Sequence, residues 1–98
     1  MRKRLTCIVH GRVHGVLYRD TTAQRAKALS LTGFVQNEPD DTVCVVAEGE
    51  EAVLKELLAY VRKGPPLASV ERVDEVWGDA THEFADFRIR YRNFLDRF

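Results

Sequence analysis

The chain has 98 residues, 45% of them hydrophobic. That is enough for one modest core, too little for a large enclosed cavity, and too apolar for a chain that stays disordered. Fifteen basic residues balance fifteen acidic ones, which argues against a strongly basic nucleic-acid binder. No apolar run approaches the roughly 18 residues of a membrane span and no signal-peptide pattern is present, so the expectation is a cytoplasmic chain, monomeric by default, folding as a single domain over residues 1–98.

Leu5 to His10 sets Leu5, Cys7 and Val9 against Thr6, Ile8 and His10, and predicts a strand with both faces fairly apolar. Gly11-Arg12-Val13-His14-Gly15-Val16-Leu17-Tyr18-Arg19 follows and leads into a helical segment. A glycine-punctuated loop at a helix N-terminus suits an anion, because successive amides can converge on it and the helix dipole favours negative charge there. Arg19 adds a planar fork of donors that matches phosphate oxygens. A cation at a helix start is otherwise mildly unfavourable, which favours an anion-binding role over a plain surface arginine.

Asp20 to Thr32 predicts the first helix, with Asp20, Thr21 and Thr22 as capping chemistry and Thr22, Ala26 and Leu29 as a narrow buried stripe. Gly33 fits the position just past its end. Phe34 to Asn37 predicts a second strand, Glu38-Pro39-Asp40-Asp41 a turn, and Thr42 to Glu48 a third strand. A second helix runs from about Glu50 to Lys63, acidic at its start and basic at its end, with Leu54, Leu57, Leu58 and Val61 as its core face. Gly64-Pro65-Pro66 stops it. Val70 to Trp77 predicts a fourth strand anchored by Val70, Val73 and Val76. Phe87, Ile89 and Tyr91, alternating with Arg88 and Arg90, predict a short fifth. The tail from Arg92 to Phe98 has no clear period.

This order is that of a ferredoxin-like βαββαβ sandwich of the α+β class: an antiparallel sheet with two helices on one face, plus a short fifth strand. The βαβ crossover makes the first and second strands parallel, so their C-terminal ends share one edge of the sheet. The loop ending at Arg19 and the strand end at Asn37 are thereby brought near one another. Alone, an asparagine before a turn is usually just turn chemistry; beside Arg19 it becomes a candidate site residue.

At this point the chain resembles an acylphosphatase. The residues that carry the resemblance are Gly11, Val13, Gly15, Val16 and Arg19, then Gly33-Phe34-Val35-Gln36-Asn37, Gly64-Pro65-Pro66 and Phe87-Arg88-Ile89-Arg90-Tyr91. They lie in family order and spacing over about residues 5–91 and are specific as a set. His14 departs from the family's usual glutamine. If the position gives mainly its backbone N–H, the loop is unaffected; if its side chain braces the loop, the geometry differs. Asp41 stands where a turn glycine is common, and aspartate tolerates the left-handed φ such a turn needs.

The resemblance implies hydrolysis of acyl phosphates to carboxylate and inorganic phosphate, with no metal and no cofactor. Phosphate would be product and inhibitor. By position, Arg19 binds the phosphoryl group together with the amides of His14, Gly15, Val16, Leu17 and Tyr18, and Asn37 orients the attacking water. The residues themselves fit this chemistry. Phosphoryl transfer needs positioning and charge stabilisation more than covalent help. An acyl phosphate leaves as a carboxylate, whose conjugate acid has a pKa of roughly 4, so it needs neither an acid nor a metal. Asn37 can aim a water without being a strong base. His10, His14 and His82 show no metal-ligand spacing. Cys7 and Cys44 lie in separate apolar runs and read as free thiols of a reducing compartment. The rival reading is a non-catalytic ferredoxin-like module that binds an anion or small ligand. An RNA-binding version is disfavoured because the first and third strands carry no aromatic residue.

Overall fold

A computed structural model describes residues 1–92. The chain runs β1 (Arg2–Arg12), α1 (Tyr18–Ala28), β2 (Thr32–Asn37), β3 (Val43–Glu50), α2 (Glu51–Lys63), β4 (Ser69–Asp79) and β5 (Phe87–Arg90). The five strands form one sheet in the order β4-β1-β3-β2-β5. Every neighbouring pair is antiparallel except β2 and β5, which are parallel. Both helices cover the face that carries Leu5, Cys7, Val9, Val35, Val43, Val45 and Phe87, all nearly inaccessible to solvent. Leu54, Leu57, Leu58 and Val61 of α2 close the core from above, as their spacing predicts. This is the expected ferredoxin-like sandwich, and the expected tail lies outside the described residues from position 93 onward.

β1 and β2 both run antiparallel to β3 and are therefore parallel to each other across it. Val43 faces Val9 on one side and Asn37 on the other. The exit of β1 into the glycine loop and the end of β2 thus lie at one edge, which is the placement on which the candidate site depends.

The first helix differs from expectation at both ends. It begins at Tyr18, not Asp20, and Leu17 occupies the N-cap without any side-chain cap. Instead the Thr21 amide and hydroxyl both donate to the Leu17 carbonyl, at 3.1 Å and 3.0 Å. The Tyr18 hydroxyl donates to the Val61 carbonyl at 2.6 Å and pins the first turn to α2. The helix also ends at Ala28, because Ser30 takes a left-handed φ of 58°. The Ser30 amide donates to Lys27 and the Leu31 amide to Ala26, which closes the last turn as a Schellman motif with Leu31 buried. Gly33, expected just past the helix, lies inside β2. A Cβ there would come within 1.9 Å of the Val46 carbonyl oxygen, so its role is close approach to β3. Val76, expected as an apolar anchor of β4, is 66% exposed on the open face. Asp41 takes the expected left-handed φ, 69°.

The open face has its own anchor. Glu48 of β3 is 1% exposed. Its carboxylate accepts from Arg4 Nε and the Thr81 amide, each at 2.8 Å, from the Thr81 hydroxyl at 3.0 Å and from the His82 amide at 2.9 Å. Burial alone would raise its pKa, but the Thr81, Arg4 and His82 donors together hold it down to about 2. A depressed carboxyl stabilises the fold above its ordinary pKa and stops doing so as pH falls through the folded value. Stability should therefore fall between about pH 4.5 and pH 2, by about 2 kcal/mol from this group once pH 3 is reached. For a domain of this size that is roughly 10 °C in Tm. Thermal melts across that range should show a visibly flatter acid limb for Glu48→Gln, which starts from a lower Tm at neutral pH. An equally steep limb in the variant would remove Glu48 as its source.

Candidate active site

Between β1 and α1 the chain makes a short loop anchored on both sides of its tip. Val13, Val16 and Tyr18 are buried, whereas Gly15 and Leu17 face solvent. Gly15 and Leu17 both have left-handed backbones, with φ of 68° and 65°. Left-handed residues flanking a single position curl the chain into a concave strip of amides, the geometry of an anion nest. Among the described residues, no turn or loop hydrogen bond takes its donor from the amides of His14 through Tyr18. Leucine in this conformation is strained by roughly 1–2 kcal/mol, and such strain gathers where backbone direction matters. A Cβ on Gly15 would meet no atom within 4 Å, so the loop tip is open space.

Arg19 follows in the first turn of α1, half-buried, on the helix that packs over β2 and β5. Its guanidinium lies 5.2 Å from the centroid of the Tyr91 ring. Val35 pairs with Ile89 in the parallel β2–β5 ladder, so two residues further on Tyr91 reaches the level of Asn37. Asn37 faces the helix side, 7% exposed. Its Oδ1 is buried, and no described residue donates to it. The structure thus gathers the amide loop, Arg19 and Asn37 at the C-terminal edge of β1 and β2. A groove between the helices, lined by Thr21, Arg25, Tyr60, Lys63, Pro65 and Pro66 among others, includes neither Arg19 nor Asn37.

Comparison with known proteins shows the family. The acylphosphatase family model matches residues 5–89. An acylphosphatase of Methylococcus capsulatus is 46% identical over 87 residues, covering 89% of this chain and 95% of that protein. One from Salinibacter ruber is 44% identical over 88 residues, covering 90% and 93%. The crystal structure of an acylphosphatase from Bacillus subtilis superposes with a TM-score of 0.87 at 30% identity, covering 91% of this chain and 99% of that one. The chain belongs to the acylphosphatase family.

It is an enzyme of that family, and acyl phosphate hydrolysis is its reaction class. Two features beside the candidate site of this acylphosphatase were not among the candidate site residues read from sequence. One is Tyr91, whose ring lies against Arg19. The alternation of Phe87, Ile89 and Tyr91 held the signal, but only the parallel pairing of β5 with β2 puts that face beside Asn37. The other is the carbonyl of Thr42, which accepts from His14 Nε2 at 2.8 Å. Of the two alternatives open for position 14, the side chain therefore does make a bracing contact. Among the described residues, no group of three His, Cys, Asp or Glu side chains is placed to hold a metal ion, and no helix is long and apolar enough to cross a membrane.

Proposed function

We propose that this acylphosphatase hydrolyses its substrate by direct attack of water on phosphorus, without a metal. The amides of His14 through Tyr18 and the Arg19 guanidinium surround the phosphoryl oxygens, and Asn37 orients the water. The water oxygen forms its bond to phosphorus as the bond to the acyl oxygen breaks. The carboxylate leaves with the electron pair, and the water protons end on the phosphate, released as dihydrogen phosphate. Preorganised donors are worth most where charge gathers on the transferring group, on the order of 3 kcal/mol for a single donor. We place the reaction in the cytoplasm with the chain as a monomer, in keeping with two free thiols, one buried and one half-buried.

The observation that carries this reading is Asn37. A buried amide oxygen with no donor costs roughly 1–3 kcal/mol, and native folds rarely keep one without use. Asn37 stands at the edge where the amide loop and Arg19 meet, with Oδ1 lacking a donor among the described residues, and that oxygen takes the attacking water in this reading.

Turnover of an aryl acyl phosphate tests the reading. Hydrolysis should persist in EDTA, and inorganic phosphate should inhibit competitively while raising Tm in proportion to ln(1 + [L]/Kd). Phosphate binding without turnover would instead support the non-catalytic anion-binding module. Loss of activity in EDTA, restored by a divalent ion, would move the reaction into another mechanistic class.

A further inference from the structure

We propose that the His14 side chain is a positioning residue that fixes the distance between the phosphate loop and Asn37; the inference rests on the proposed hydrolytic role of that loop and of Asn37. His14 is half-buried, and its Nε2 donates to the Thr42 carbonyl oxygen at 2.8 Å across 28 positions of sequence. That oxygen also accepts from the Glu38 amide at 2.9 Å. Thr42 is itself held, since its hydroxyl and amide both donate to Asp40 Oδ1, at 2.6 Å and 3.2 Å. The next residue, Val43, pairs with Asn37. Among the described residues, no other side-chain hydrogen bond joins the loop 13–17 to the turn 38–42.

The two halves of the site hang on different elements. The amide loop belongs to the β1–α1 connection, and Asn37 to the end of β2. Packing of Val13, Val16 and Tyr18 fixes the loop against the core, but Gly15 and Leu17 at its tip are exposed, and the β2–β3 turn stands on the other side of a gap. The bond from His14 spans that gap. In-line attack depends on the spacing it sets, because a shift of about 1 Å between reacting groups costs on the order of 100-fold in rate. Phosphate affinity depends on it less, because the amides and Arg19 belong to one continuous stretch of chain, whereas Asn37 stands on another element.

The test compares His14→Ala, His14→Gln and His14→Asn by turnover of an aryl acyl phosphate, inhibition by inorganic phosphate, and Tm. Glutamine carries its amide nitrogen as many bonds from Cβ as histidine carries Nε2, so it reaches the same carbonyl; asparagine is one bond short. His14→Ala and His14→Asn should lose about 10- to 100-fold in kcat with the phosphate inhibition constant changed less than about threefold. His14→Gln should return kcat to within about threefold of the parent chain. Tm should fall by only a few degrees in all three, because the Thr42 carbonyl keeps its Glu38 donor. Unchanged kcat in His14→Ala, equal loss of kcat and phosphate affinity, or a folded His14→Gln as slow as His14→Ala would each overturn the inference. If His14→Ala does not fold, the glutamine–asparagine contrast decides. Absence of turnover in the parent chain would remove the hydrolytic reading itself, a result distinct from normal parent turnover with indifferent variants.

Discussion

Arg19→Ala should lower kcat/KM by about three orders of magnitude while the fold persists. The guanidinium supplies paired donors and a full positive charge to a group whose transition state spreads negative charge over its equatorial oxygens, and a single arginine in such a position is worth roughly 10³- to 10⁵-fold. The stability cost should be small, since Arg19 is half-buried in the first turn of a helix, where a cation opposes the helix dipole. Arg19→Lys should recover little. An ammonium keeps the charge but loses both the fork and the flat face that lies 5.2 Å from the Tyr91 ring centroid. The measurement is the phosphate-induced rise in Tm alongside steady-state kinetics. A folded Arg19→Ala protein that phosphate still protects as well as it does the parent would exclude Arg19 as the phosphate clamp.

Sequence carried the parts of this molecule whose physics is local or strictly periodic. The α2 core face was legible because Leu54, Leu57, Leu58 and Val61 repeat at helical spacing, and Gly64 with two prolines marks its end. The placement of Arg19 and Asn37 at one edge followed from the parallel direction that a βαβ crossover gives its two strands, which needs no side-chain detail. What sequence misjudged depended on long-range contact. Nothing local distinguishes Ser30 from Gly33 as the left-handed residue that ends α1; the choice is made by the approach of β2 to β3, which leaves no room for a Cβ at Gly33. The start of α1 at Tyr18 depends on a hydroxyl reaching the carbonyl of Val61, 43 residues away. Val76 lies outward because it is three residues from Val73, and an odd separation along a strand changes face: Val73 pairs with Val9 of the core side, Val76 with Thr6 of the open side. The bulge at His10/Gly11 falls between Val70 and Val73 and brings those two to the same face, which spacing alone does not show. Tyr91 comes to lie against Arg19 only because the last strand joins the sheet beside β2, parallel to it.

Asn37→Ala should separate catalysis from binding. The substitution leaves the amide loop and Arg19 in place, so KM and the phosphate inhibition constant should change little. It removes the oxygen proposed to aim the water, and misplacing a reacting group by about 1 Å costs on the order of 100-fold, so kcat should fall by that factor or more. A loss confined to kcat marks an interaction made chiefly in the transition state. Stability gives a second, independent sign. An asparagine serving only as turn chemistry would lower Tm when replaced, because its side chain would be satisfying a backbone group. Here Oδ1 is buried with no described residue donating to it. Deleting it relieves a desolvated oxygen, so Tm should hold or rise by a few degrees. A fall in kcat with an unchanged or higher Tm is the pattern of a residue kept for function at some cost to the fold. A rise in KM with kcat intact would make Asn37 a binding residue, and a lower Tm with normal kinetics would return it to turn chemistry.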